Sequence, residues 1–198
     1  GGVLVGIGIL ASFAVAAPEE GDATFEKRLV RLQDLAARRA SRPAVELARE
    51  LLAELDAGGR GASAEVGEIL DVLVRSLCFA GEDRAPETLA LAERNLELRR
   101  TLYGDGSPEA ARAAASLADV LVHRRQIDRA RALAEEAVAT AARVEGDGGL
   151  ALAGARRTLG NVQLVAGEPA AARDSYRRAL DLFESRLGPE APEVAELL

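Results

Sequence analysis

The sequence repeats itself at an interval of 42 residues. Gly104 opens the loop Gly104-Asp105-Gly106-Ser107-Pro108-Glu109, Gly146 opens Gly146-Asp147-Gly148-Gly149 42 residues later, and Gly188 opens Gly188-Pro189-Glu190 after the same interval again. The segments ahead of these loops keep step. Ala132-Leu133-Ala134-Glu135 follows Ala90-Leu91-Ala92-Glu93 at that spacing, and Ala130, Arg131 and Ala137 return as Ala172, Arg173 and Ala179. A fixed period of this length marks stacked supersecondary units, none of which can bury its apolar face alone.

Each unit reads as two helices. Outside the first segment Ala, Leu, Arg and Glu dominate, which are strong helix formers, and β-branched residues are thin. In one unit the first helix is expected from about Pro108 to Val122 and the second from about Ile127 to Val144. Ser107 suits the N-cap and Pro108 the first helical position, where no backbone N–H is needed. Pro43, Pro86 and Pro169 sit at the starts of other second helices, and the glycines at 104, 146 and 188 fit helix C-terminal stops. The fold class is therefore all-α. Units are expected at about 24–60, 63–104, 105–146 and 147–188, with a truncated unit at 189–198 that breaks off inside a first helix. A solenoid end normally carries a polar capping helix, so a longer parent protein is expected.

Residues 1–17 are different. They carry no charge, and Ser12 is the one conventionally polar side chain. As a helix they would span about 26 Å, slightly short of the roughly 30 Å hydrocarbon core. The reading is a transmembrane helix whose first turn is missing; the competing reading is a signal segment with Ala14-Val15-Ala16 as a small-x-small cleavage site. The chain has no Met and begins inside this apolar run, which also points to a piece of a longer protein. Residues 18–23 form the linker. The first basic residue after the run is Lys27, so a repeat domain facing away from the cytoplasm, or an exported or periplasmic one, is expected. Gly2 and Gly6 form a small-xxx-small pair that could bring two such helices together.

The paired helices resemble the tetratricopeptide repeat family. Leu117-Ala118 and Leu159-Gly160 look like its small pair in the first helix, Ala130 and Ala172 like the crossing residue of the second, and Ala137 and Ala179 like its later small position, with Tyr176 as the aromatic. Ser76 and Thr88 take the small positions of the preceding unit, and Leu35-Ala36 with Ala48 those of the first. The 42-residue period, and Leu187-Gly188-Pro189-Glu190-Ala191-Pro192-Glu193-Val194-Ala195 between units, are similar to the kinesin-light-chain-like subtype. The resemblance implies a right-handed superhelical solenoid of antiparallel helix pairs that binds a peptide or protein on a concave face lined by first helices. It would place Arg112, Ala115, Asp119, Arg157 and Asn161 on that face. The subtype's Asn pair is replaced by Ala115-Ser116 and Arg157-Thr158, a departure from its backbone-clamping mode.

No catalytic constellation is legible. His123 is the sole histidine and reads as a cation at a helix C-terminus with Asp119 one turn back. Cys78 is the sole cysteine, which rules out an internal disulfide or a Cys-based zinc site; it reads as a small core residue, with a reactive or intermolecular thiol as the competing reading. Gly6-Ile7-Gly8 lacks the strand context of a dinucleotide loop. The net charge of −7, with Arg and Glu interspersed, lacks the basic footprint of a nucleic-acid binder. The expectation is a non-enzymatic scaffold without cofactor or metal, tethered to a membrane through residues 1–17 or exported. Two alternatives stand beside it. One is the extracytoplasmic sensor or docking arm of a membrane serine/threonine kinase, since bacterial kinases of that plan resemble this order of segments. The other is a soluble repeat domain that forms homo-oligomers.

Overall fold

The computed structural model describes residues 20–195 and Leu197. Eight long helices run in sequence: α1 Glu20–Ala37, α2 Ser41–Ala57, α3 Ala64–Phe79, α4 Pro86–Tyr103, α5 Pro108–His123, α6 Ile127–Glu145, α7 Leu150–Val165 and α8 Pro169–Leu187, followed by one turn, α9 Pro192–Ala195. No strand occurs among the described residues. The expected membrane or signal segment at residues 1–17 lies outside them, and no helix among the described residues is long and apolar enough to cross a membrane. Helix α1 starts at Glu20, so residues 20–23, assigned from the sequence to the linker, form its first turn. Glu20 and Asp22 there suit the positive end of the helix dipole.

Local signals terminate the helices. Ser107 accepts a hydrogen bond from Ala110 N at 3.1 Å and donates to Gly104 O at 2.8 Å, capping α5 with Pro108 at its first position. Pro86 and Pro169 open α4 and α8. The ends of α4, α6 and α8 fall on Gly104, Gly146 and Gly188, with φ of 87°, 68° and 89° and ψ of 157°, −166° and 163°. That region is nearly closed to residues with a Cβ.

Every first helix ends in the same turn. Arg39, Gly81, Arg125 and Gly167 have positive φ. The following amides reach back five residues, Ala40 to Leu35 O, Glu82 to Leu77 O, Gln126 to Leu121 O and Glu168 to Gln163 O, at 2.9–3.0 Å. These are Schellman closures. They fix the true register: intervals between the turns are 42, 44 and 42 residues. Helix α3 therefore sits two residues early, because the turn before α4 covers 80–85 where the later turns cover 124–126 and 166–168. Thr88 holds this longer turn by donating to Glu82 O at 2.7 Å. In consequence Val74, not Ser76, stands where Ala118 and Gly160 stand. In the first unit Leu32 and Ala44 take the places read from the sequence as Ala36 and Ala48; both are fully buried, whereas Ala36 is half-buried.

The first helices α1, α3, α5 and α7 touch one another in turn, while α2, α4, α6 and α8 stand further apart. The stack must therefore curve with the first helices inside. Across the wider outer side the second helices are laced by side chains: Arg49 to Glu87 at 2.8 Å, Arg94 to Asp56 at 2.7 Å, Arg129 to Glu93 at 2.7 Å, Arg100 to Glu136 at 2.8 Å and Arg131 to Glu168 at 2.8 Å. Exposed pairs of this kind contribute little singly. The core supplies the stability. It is aliphatic around Leu51, Ile69, Leu70 and Leu73, and alanine-rich in the middle, where Ala114, Ala118, Ala130, Ala134 and Ala137 are all fully buried and let backbones approach closely. A second lacing repeats at the loops: Arg94, Arg143 and Arg186 donate to the carbonyls of Gly61, Gly106 and Gly148.

Candidate protein-binding face

Three register positions recur on the inner helices. They are Glu68, Arg112 and Gly154; Asp71, Ala115 and Arg157; and Arg75, Asp119 and Asn161. The five residues selected from the sequence fall in this set, and the structure gives them unequal roles. Arg112 is exposed, as is Arg75 on α3. Neither makes an ion pair or hydrogen bond among the described residues. Ala115 is buried, with 8 % of its surface left, so it serves as floor and not as contact.

Asp119, Asn161 and Tyr176 form one polar chain across α5, α7 and α8. Both carboxylate oxygens of Asp119 accept, Oδ1 from Asn161 Nδ2 and Oδ2 from Thr158 Oγ1, each at 2.9 Å. Tyr176 Oη then donates to Asn161 Oδ1 at 2.8 Å. The Asn161 amide is thereby held at both ends. Burial of the ring, and secondarily the Asp119 carboxylate, push the Tyr176 phenol above its ordinary value, with Arg157 opposing. Gly160 makes room for this ring: a Cβ there would lie 2.5 Å from Tyr176 Cε1. In the preceding unit the same two positions are Ala118 and Ala134.

A second polar cluster, unselected from the sequence, joins α3 to α4. Asp71 accepts from Asn95 Nδ2 at 2.5 Å and from Arg99 Nη2 at 2.9 Å. Asn95 and Arg99 are 1 % and 5 % exposed. A Cβ at Gly67 would lie 2.6 Å from Arg99 Nε, so a glycine is needed for the guanidinium to lie flat. In the later units the Arg99 position holds Ala141 and Phe183, both buried. That break in an otherwise apolar column was the available sequence signal, and only the corrected register exposes it.

Between the two clusters lie Cys78, Asp83 and His123. His123 Nδ1 stands 3.1 Å from Asp83 Oδ2, so its carboxylate neighbour comes from the α3–α4 turn and not from Asp119 one turn back. Asp119 is turned toward α7. Burial, with lesser contributions from Asp119 and Asp83, pushes the Cys78 thiol up to about 11. The thiol packs against the central core and is held protonated, an environment opposite to that of a reactive cysteine. Among the described residues no group of three or more His, Cys, Asp or Glu is placed to hold a metal.

Antiparallel helix pairs stacked in register, curved with the first helices inside, define a helical-repeat solenoid. Within it, residues 113–185 match a family model described as tetratricopeptide repeat. The fold is similar to that of a Podosopora anserina protein described as a kinesin light chain with nearly identical TPR-like repeats: the TM-score is 0.67 at 16 % identity, over 91 % of this chain and 84 % of that one. It is also similar to BtubC (BKLC) from P. vanneervenii, with a TM-score of 0.60 at 18 % identity, over 88 % of this chain and 78 % of that one. At such identities the likeness is one of fold. No curated protein sequence matches the chain.

Proposed function

We propose that the chain is a protein-binding scaffold whose inner face takes an extended peptide or a protein surface. The observation that carries this reading is the polar chain Asp119–Asn161–Tyr176, fixed in place beside the exposed and unpaired Arg75 and Arg112. Groups whose own rotamers are locked by hydrogen bonds lose little freedom when a ligand binds. The Arg forks add donors for ligand carboxylates or backbone carbonyls. Binding, and not catalysis, is the role these groups support.

The test is selection from a displayed random-peptide library on the chain, followed by titration of the selected peptides. Arg75→Ala, Arg112→Ala and Asn161→Ala should each weaken binding, while outer-face Arg129→Ala should leave it unchanged. Peptides that bind all four variants equally, or no selected peptide at all, would sink the reading.

The location of the scaffold is part of the proposal. The uncharged run at residues 1–17 supports a tether to a membrane or export, with the repeats outside the cytoplasm. Fusing a periplasm-dependent reporter after Leu198 tests this: activity is expected, and its absence would place the repeats on the other side. The docking arm of a membrane kinase rests on segment order alone.

A further inference from the structure

An open groove of about 410 Å³ runs along α8, lined by Leu164, Ala172, Tyr176 and Leu180, with Leu197 as a wall and Arg173 and Arg177 on its rim. The register says what kind of body fits it. One period earlier the same positions are Val122, Ala130, Ala134 and Val138, with Arg131 and Glu135 on the rim. There the surface is closed: Val122, Ala130 and Ala134 are buried, and α7 lies on it through Ala155, Leu159 and Val162. The closing body also meets the rim charge, since Glu168, just beyond α7, pairs with Arg131 at 2.8 Å.

On α8 the same groove lacks that closure. Leu164 is 54 % exposed where Val122 is 6 %. Arg173 and Arg177 are exposed and make no ion pair among the described residues. Leu197 already stands at the Ala155 position. What remains unfilled are the places of Leu159 and Val162 and the acid of Glu168.

We infer that this groove docks an amphipathic helix of a partner protein. The helix presents two branched apolar residues three apart, followed six residues later by a carboxylate that pairs with Arg173. A second copy of this chain is a poor occupant. Its own helix with that pattern, α7, is buried. Its α1, the helix at the opposite end of the stack, carries Lys27, Arg31 and Asp34 at the positions of Ala155, Leu159 and Val162, and all three are exposed. Two of those are cations that would face the Arg173 and Arg177 rim. This surface is separate from the inner face, so the two readings can fail independently.

The probe is an acetylated, amidated peptide of sequence Arg156–Glu168 carrying Gly160→Ala. The glycine is required only by Tyr176 in the intact pair, and alanine favours the helix. Its binding to the full chain is followed by fluorescence anisotropy. Arg173→Glu, a change on an exposed side chain, should weaken binding by about tenfold, and a peptide bearing arginine in place of Glu168 should restore it. Leu180→Glu should also abolish binding. Arg131→Glu should have no effect. If Arg131→Glu weakens binding and Arg173→Glu does not, the peptide is displacing α7 inside the stack and the inference is overturned. Absence of binding overturns it as well.

Discussion

Gly160 lies under the ring of Tyr176, so close that a Cβ would stand 2.5 Å from Cε1 and 2.6 Å from Cδ1. Along the stack this crossing is built three ways: Val74 with Ala92, Ala118 with Ala134, and Gly160 with Tyr176. The first-helix residue shrinks as the second-helix residue grows. Volume is conserved across the pair and not at either position, as close-packed interiors require.

Gly160→Ala is expected to destabilise the chain by about 1–3 kcal/mol through overpacking. Tyr176→Ala in the same molecule should recover much of the loss, because it recreates the Ala118–Ala134 arrangement. Tyr176→Phe should not, since the ring stays. Urea midpoints of the four proteins check this.

The Asp71–Arg99 pair should behave as a unit. Asp71→Leu leaves a buried guanidinium without its carboxylate and should lower stability by roughly 2 kcal/mol, less than for a fully buried pair because 23 % of the Asp71 side chain is exposed. Asp71→Leu with Arg99→Leu should be less damaging than Asp71→Leu alone. A double-mutant cycle with no coupling would show that the pair does not hold α3 to α4.

Arg125 occupies the left-handed turn position filled by Gly81 and Gly167. Arg125→Gly should stabilise the chain by about 0.5–1 kcal/mol, the relief of the left-handed penalty less the added freedom of the unfolded glycine. Gly146→Ala should act oppositely and cost about 1–3 kcal/mol. Thermal unfolding of the two variants should shift in opposite directions.

The Cys78 thiol, raised from 9.0 to about 11, holds its proton more tightly folded than unfolded. Its stabilising contribution is complete below pH 9 and is lost as pH climbs from 9 to 11. Tyr176 acts in the same direction. Urea midpoints should therefore fall over this range, and Cys78→Ala should shrink the fall without removing it. At neutral pH an aromatic disulfide reagent should label the unfolded chain much faster than the native one; equal rates would contradict the packing of this thiol.

The helices, their pairing and their stops were legible because they depend on local chemistry. Ser107, Pro108, Gly104, Gly146 and Gly188 act within a turn of where they stand. The small residues Ala118, Ala130, Ala137 and Gly160 also declared themselves, because their period is that of the fold. The inner face was read in part: Asp119 and Asn161 lie in one network, but Ala115 is floor.

What the sequence alone determined is the repeating helical-pair architecture, set by helix propensity, caps and a period of 42 that no single helix could hide. What only the tertiary structure decided is register and partnership. The six-residue turn at 80–85 moved α3 by two positions, so Asp71 met Arg99 and Val74 replaced Ser76. His123 turned to Asp83 from another unit, and Asp119 to Thr158 and Asn161 some 40 residues away. Such contacts depend on how far one helix slides along another, and that distance is set by the summed packing of both faces, which no local pattern records.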